Sequence, residues 1–109
     1  MKNDFGLTER DRKYLESVMR KFPEIEQAII FGSRAMGNSK RGSDVDLAII
    51  GKNIASATAL RLRTLLNEEL PLPYFFDVVR YEIITNDNLK QHIDEHGVVL
   101  FSTQEAMSA

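Results

Sequence analysis

Residues 31–50 read FGSRAMGNSKRGSDVDLAII, and this stretch decides the fold and the chemistry of the chain. It opens with a Gly-Ser turn, Gly32-Ser33, directly after an apolar run. Two carboxylates, Asp44 and Asp46, follow with one residue between them, and a second apolar run comes at once. A turn that can hold phosphate beside a carboxylate pair that can hold a divalent metal ion is typical of nucleotide chemistry.

Length and composition indicate one small globular domain. The chain has 109 residues, 43% hydrophobic and 28% charged, with a formal net charge of -2. That charge argues against non-specific binding of DNA or RNA, so no direct nucleic-acid binding is expected. The chain has no cysteine, which excludes disulfides and thiolate metal sites. No apolar run suits a membrane span and no apolar signal region opens the chain, so we expect no membrane association and a cytoplasmic location.

Apolar periodicity predicts strands that alternate with helices, which is typical of an α/β (α+β) fold with helices packed on one small sheet. Thr8 is expected to cap a first helix that Pro23 ends. The predicted strands are residues 25–31, 45–50, 74–79 and 98–101, and the further helices are 55–70 and 88–95, with a helix or loop over 35–43. The first two strands are joined by a connection that is short for a full crossover, so a wholly parallel sheet is not predicted. We expect the domain to span residues 1–101 and residues 102–109 to form a flexible tail.

Asp44, Asp46 and Asp77 are the candidate catalytic and metal-binding residues. Strand alternation points Asp44 and Asp46 to one face of the sheet. Two carboxylates that close repel each other unless a cation lies between them, and Mg²⁺ takes such oxygen ligands. Asp77 interrupts an apolar run, where an unpaired buried charge would be costly. If its strand neighbours that of Asp46, three carboxylates converge, which suffices for two metal ions in a phosphoryl displacement.

The nucleotide-binding candidates are Gly32, Ser33, Arg34, Arg41 and Ser43. The turn follows a predicted strand, where backbone N–H groups can meet an anion, and the missing Cβ of Gly32 lets phosphate come close. Ser33 adds a hydroxyl donor, and the two arginines can add charge-assisted hydrogen bonds. A Gly-Ser pair alone also fits a plain turn, so the prediction depends on its combination with the carboxylates.

Three segments, in chain order, resemble the minimal nucleotidyltransferase (MNT) group of the DNA polymerase beta-like nucleotidyltransferase superfamily. They are residues 32–37, residues 43–49 and the apolar strand that carries Asp77, and the resemblance extends over residues 22–101. It implies a small mixed β-sheet flanked by helices. It also implies Mg²⁺-dependent transfer of a nucleoside monophosphate from an NTP, with ATP the expected substrate and pyrophosphate the leaving group.

By the family pattern, Gly32 and Ser33 would bind the β- and γ-phosphates. Asp44 and Asp46 would bind two Mg²⁺ ions. Asp77 would bind the catalytic ion and help to activate the acceptor hydroxyl. Phosphoryl transfer agrees with these roles, because it needs positioning and charge neutralisation more than covalent help from the protein.

The resemblance further implies a protein partner. Stand-alone prokaryotic members are similar to the antitoxin of a two-gene pair whose other half is an all-helical HEPN protein, and some such pairs transfer AMP to a tyrosine of the toxin. A single small domain leaves little room for a large second substrate, so a partner is expected to present the acceptor, in a homo- or hetero-oligomer. Two alternatives stay open: a non-catalytic module that neutralises a partner by contact, and a subunit of a small-molecule nucleotidyltransferase.

Several residues also have ordinary structural interpretations. Asp44 suits a turn, and Asp77 could pair with Arg80. His92 and His96 lie four apart on one predicted helical face, and we assign them surface or capping roles, since no tight third ligand accompanies them. The aromatic segment 74–76 could stack a base, but is predicted to belong mainly to the core. The leucines of the predicted helix over residues 55–70 are predicted to be core residues as well: Leu62, Leu65 and Leu66.

Overall fold

The computed structural model describes residues 7–36, 44–70 and 74–103. These ranges contain four strands and three α-helices. In chain order they are α1 (Glu9–Met19), β1 (Ile25–Phe31), β2 (Val45–Gly51), α2 (Ser56–Thr64), β3 (Phe76–Arg80), α3 (Asp87–His96) and β4 (Val98–Ser102). A π-helical turn, Leu65–Glu69, continues α2, and a 3₁₀ turn, Tyr81–Ile83, follows β3. In these ranges no helix is long and apolar enough to cross a bilayer.

The four strands form one mixed sheet in the order β3-β2-β1-β4. β1 runs antiparallel to both β2 and β4, whereas β2 and β3 are parallel. The short connection from β1 to β2 agrees with their antiparallel pairing, and α2 forms the longer crossover that a parallel pair requires. The predicted α/β (α+β) fold, a small mixed sheet flanked by helices, is confirmed.

The sheet has a fully covered face and a partly covered face. Val45, Leu47 and Ile49 alternate into the main core, where they meet buried side chains of α1, α2 and the π-helical turn. The predicted core leucines of α2 and the π-helical turn belong to this cluster. On the opposite face, Ala48 meets Ile93 of α3 in a smaller cluster. Each fully buried aliphatic side chain contributes about 1.5–3 kcal/mol, so the larger cluster supplies most of the stability.

The end of the second helix differs from the prediction. The sequence predicts a helix over residues 55–70, and the structure shows that from Leu65 this helix widens into the π-helical turn. There the side-chain amide of Asn67 donates to the Phe76 carbonyl (2.9 Å), and its carbonyl accepts from the Phe76 N–H (2.7 Å). Asn67 thus ties the helix to the first residue of β3. Helical periodicity carries no sign of such a long-range bond, because it reports only which side of a helix is apolar.

The cap of the first helix agrees with the prediction, whereas the last strand extends one residue further than predicted. Thr8 is the N-cap of α1, and its hydroxyl accepts from the Asp11 N–H. β4 continues through Ser102, which pairs with Gln27. The remainder of the predicted tail, residues 104–109, lies outside the described residues.

Asp11 joins this cap to Tyr74, which precedes the strand that carries the third candidate carboxylate. Its carboxylate accepts from the Thr8 N–H at 3.0 Å and from the Tyr74 hydroxyl at 2.7 Å. Burial alone raises the pKa of the Asp11 carboxyl, but the hydrogen bonds from Thr8 and Tyr74 outweigh it, so the pKa lies below its ordinary value. A carboxyl whose pKa is lowered on folding stabilises the protein above its unfolded-state pKa, and that stabilisation is lost as the pH falls.

We expect Asp11→Ala to lower the free energy of unfolding by about 1.5–3 kcal/mol near neutral pH, the usual contribution of hydrogen bonds to a charged group. The difference from the native chain should shrink as the pH falls below about 4, where the unfolded carboxyl binds its proton. Urea unfolding at a series of pH values measures both effects. Glu9→Ala is the matched control, because its contact with Lys13 is an exposed ion pair. A destabilisation that is the same at every pH would contradict the role of the Asp11 charge.

Candidate active site

The structure brings two of the three candidate carboxylates side by side. Asp46 of β2 and Asp77 of β3 are direct partners in the parallel register. Adjacent strands lie about 4.7–4.9 Å apart, and paired residues share a face, so both side chains leave the sheet on the same side. Asp44 precedes β2, two residues before Asp46, and alternation places it on that side as well. The Arg80 guanidinium, the alternative partner of Asp77, donates to the Ile54 carbonyl at 3.1 Å.

Asp46 lies at the centre of this group, and its electrostatics suit a cation. Burial raises the pKa of the Asp46 carboxyl above its ordinary value, the Asp77 and Asp44 carboxylates raise it further, and His92 partly opposes them. A divalent cation would remove that repulsion, and carboxylate oxygens are the ligands that Mg²⁺ prefers. Within the described ranges, no three acidic or histidine side chains already stand together as a metal-binding group. The donor set nevertheless fits Mg²⁺, which usually needs only one or two carboxylates together with phosphate oxygens and water.

The Gly-Ser turn packs directly against the central carboxylate. Phe31, the last residue of β1, pairs with Asp46, and Gly32 then turns the chain with a φ of 79°. Only glycine adopts this left-handed conformation readily. A Cβ on Gly32 would overlap the Asp46 carboxylate oxygen Oδ2. Ser33 is exposed in the turn. The Gly-Ser turn and the Asp46 carboxylate therefore lie against each other.

His92 is a site residue that the sequence analysis missed. Its Nε2 accepts the Gly32 N–H at 2.9 Å, and its ring packs edge-on against Phe31 with the centroids 6.2 Å apart. His96 stands beside it on α3, with ring centroids 5.4 Å apart, so the predicted shared helical face is correct. The spacing identified that face, but it could not indicate that the face covers the turn. A hydrogen bond between a histidine and a glycine 60 residues earlier in the chain has no local sequence signal.

Arg34 differs from Gly32 and Ser33, the other nucleotide-binding candidates among the described residues, because it is only 2% exposed. Its Nε donates to the Asp44 carbonyl at 3.3 Å, and its guanidinium lies 4.9 Å from the centre of the Tyr74 ring. Through the Tyr74 hydroxyl this contact continues to Asp11. Arg34 therefore connects the Gly-Ser turn, the backbone of Asp44 and α1. Arg41 and Ser43, the other two candidates, lie outside the described residues.

The aromatic segment before Asp77 divides between core and surface. Phe76 is fully buried, in agreement with the predicted core role. Phe75 is instead 46% exposed, and the Arg63 guanidinium lies 5.3 Å from the centre of its ring. Tyr74 is half-buried and spans the two environments. Phe76 is the first residue of β3, whereas Tyr74 and Phe75 precede the strand.

Comparison with known proteins places these features in a family. The profile of the family "Polymerase beta, Nucleotidyltransferase" matches residues 13–106. No curated protein matches the chain. Among solved structures, a toxin–antitoxin complex with AMP-PNP contains a chain that is 22% identical, with a TM-score of 0.72; the match covers 90% of this chain and 78% of the other.

Two further solved structures share the fold. The toxin–antitoxin MntA-HepT matches with 18% identity and a TM-score of 0.68, over 93% of this chain and 78% of the other. The tri-AMPylated Shewanella oneidensis HEPN toxin in complex with MNT antitoxin matches with 19% identity and a TM-score of 0.59, over 89% and 77%. At these identities the structures establish the likeness of the fold alone.

We expect Gly32→Ala to lower the free energy of unfolding by about 1–2 kcal/mol, because a Cβ is strained in the left-handed conformation. The added methyl group would also displace the Asp46 carboxylate, so the affinity for Mg²⁺ should fall. Urea unfolding and calorimetric titration with Mg²⁺ measure the two effects. Ser33→Ala, one residue along in the same exposed turn, should change stability by less than about 0.5 kcal/mol. A Gly32→Ala variant with native stability and native Mg²⁺ affinity would show that the turn does not pack on Asp46.

Asp46→Asn should raise the melting temperature in chelator, because it removes a half-buried charge that Asp77 and Asp44 repel. Near pH 7 a rise of a few degrees is expected, since about 1 kcal/mol shifts the melting temperature of such a domain by about 4–8 °C. Added Mg²⁺ should stabilise the native chain by mass action and leave this variant unchanged. Differential scanning fluorimetry with EDTA and with Mg²⁺ tests both points, with the exposed Asp87→Asn as control. Equal Mg²⁺ stabilisation of both variants would place the metal elsewhere.

Proposed function

The chain belongs to the polymerase beta nucleotidyltransferase family, and we propose that it transfers AMP from ATP to a hydroxyl group that a protein partner presents. One observation carries the proposal: Asp46 and Asp77 are register partners on the face against which the Gly32 turn packs. This arrangement supports our proposal that the turn binds phosphate beside the carboxylates. The family match supports the reaction class, and the choice of nucleotide and acceptor is our proposal.

In the proposed reaction, the acceptor hydroxyl oxygen bonds to the α-phosphorus of ATP. The bond from that phosphorus to the bridging oxygen breaks, and pyrophosphate leaves with the electron pair. Asp77 is exposed at the edge strand β3, so we assign it the contact with the acceptor hydroxyl and the acceptance of its proton. Asp44 and Asp46, with Asp77, would hold Mg²⁺, which neutralises charge on the triphosphate when it is bound.

The Gly-Ser turn would hold the triphosphate next to these carboxylates. Ser33 is exposed and has a hydroxyl that can donate to a phosphate oxygen. We assign Arg34 to positioning, because its buried guanidinium bonds the Asp44 carbonyl and thereby orients that residue. Arg41 and Ser43 remain predicted nucleotide contacts.

A HEPN-type protein is the proposed partner and carries the acceptor hydroxyl. The support comes from fold relatives: one structure holds a toxin–antitoxin pair with AMP-PNP, and another holds an AMPylated HEPN toxin with an MNT antitoxin. On this proposal the chain is the antitoxin of such a pair.

Label transfer tests the proposal directly. The purified chain is incubated with lysate of its source organism, Mg²⁺ and ATP that is labelled at either the α or the γ phosphate. We expect a discrete protein band to gain α label only, because nucleotidyl transfer retains the α phosphate and releases the other two as pyrophosphate. EDTA should abolish the band. Asp44→Asn and Asp46→Asn should each lower the rate by at least about 100-fold, while the control Asp87→Asn retains native activity.

Each alternative has its own outcome in this experiment. Label that comes only from the γ position would indicate a kinase-like reaction and overturn the mechanism. Transfer that Asp46→Asn retains would overturn the assigned site. A chain that transfers no label, but still neutralises a partner after Asp46→Asn, would be a binding module.

A further inference from the structure

His92 closes the Gly-Ser turn from the side of α3. The Gly32 N–H donates to His92 Nε2 at 2.9 Å, and the imidazole ring packs edge-on against Phe31. We infer that His92 is a positioning residue of the active site, which holds Gly32 in its left-handed conformation against Asp46. The inference rests on the proposed function, because it assigns His92 to the same carboxylate site.

Gly32 needs such a restraint because of its own chemistry. Glycine adopts positive and negative φ about equally well, so its sequence alone does not fix the turn at a φ of 79°. Gly32 also forms one wall of the space around the Asp46 carboxylate, where even a methyl group does not fit. A small displacement of Gly32 therefore changes the positions open to Asp46. The hydrogen bond to His92 restrains Gly32 from α3, a different element of the fold.

The inference depends on the acceptor nitrogen of His92 and not on its bulk. Because Nε2 accepts the Gly32 N–H, the ring proton is on Nδ1. A side chain of similar size with no acceptor would still pack against Phe31, but it would leave the Gly32 N–H without this partner. Glutamine can place an acceptor near the position of Nε2, so His92→Leu and His92→Gln separate the hydrogen bond from the packing.

His96 provides a matched control on the same helix. It lies one turn further along α3, with its ring 5.4 Å from that of His92, and its Nε2 is 4.0 Å from the Glu95 carboxylate. His96→Leu changes a histidine on the same face and leaves the bond between Gly32 and His92 in place.

The first test needs no substitution. In the full chain labelled with ¹⁵N, we expect a scalar coupling between the Gly32 amide nitrogen and His92 Nε2 across the hydrogen bond. The Gly32 amide should exchange with solvent more slowly than the amide of exposed Ser33. Absence of the coupling, together with rapid exchange at Gly32, would overturn the inference whatever the activity of the protein.

The variants then connect this bond to function. His92→Leu should shift the Gly32 amide resonance, weaken Mg²⁺ binding and lower kcat for α-label transfer by about 10- to 100-fold, the usual effect of removing an outer-shell partner, with a smaller change in KM. His92→Gln and His96→Leu should stay close to native. Equal losses in His92→Leu and His92→Gln, or in His92→Leu and His96→Leu, would show that packing and not the acceptor matters. If the native chain transfers no label, the proposed function fails, while the coupling and the Mg²⁺ affinities still decide the inference.

Discussion

The parallel pairing of β2 with β3 is the constraint on which the rest of the structure depends. It places Asp46 directly opposite Asp77. The two carboxylates repel each other, although the exposure of Asp77 weakens that repulsion. Burial of the core side chains offsets it, at about 1.5–3 kcal/mol for each side chain. The hydrophobic face of the sheet thus maintains a charge arrangement that the carboxylates alone would oppose.

One face of the sheet packs in the main core, and the opposite face carries the candidate site. The side chains of β2 that alternate with Asp46, namely Val45, Leu47 and Ile49, enter the main core under α1 and α2. The same period of two therefore fixes the position of Asp46 on the other face. A shift of one residue in the register would exchange the two sets and bury the carboxylate, so the core specifies the site as strictly as it specifies the fold. On that second face α3 covers part of the sheet and brings His92 to the turn.

Local patterns in the sequence predicted most of the fold and the centre of the site. Alternation of apolar and polar residues predicted β2 with Asp46, and the apolar run around Asp77 predicted the strand β3. What the sequence did not predict depends on contacts between distant residues. Asn67 of the π-helical turn binds the first residue of β3, and His92 of α3 binds Gly32 at the end of β1. The burial of Arg34 was missed for a related reason, since a charged residue in a polar loop gives no local sign that Tyr74 will cover it.

The bond between Gly32 and His92 also changes what the glycine contributes to the proposed mechanism. A glycine in a phosphate turn is usually valued for a free N–H, but here that N–H already donates to His92. Its contribution is then the absent Cβ, which lets the turn approach Asp46 so closely. On the proposed mechanism the phosphate oxygens would be met by the exposed Ser33 and by bound Mg²⁺. On this mechanism the main role of the turn is to position the Asp46 carboxylate. The hydrogen bond from Gly32 to His92 of α3 would then help to set the distance between the triphosphate and Asp46.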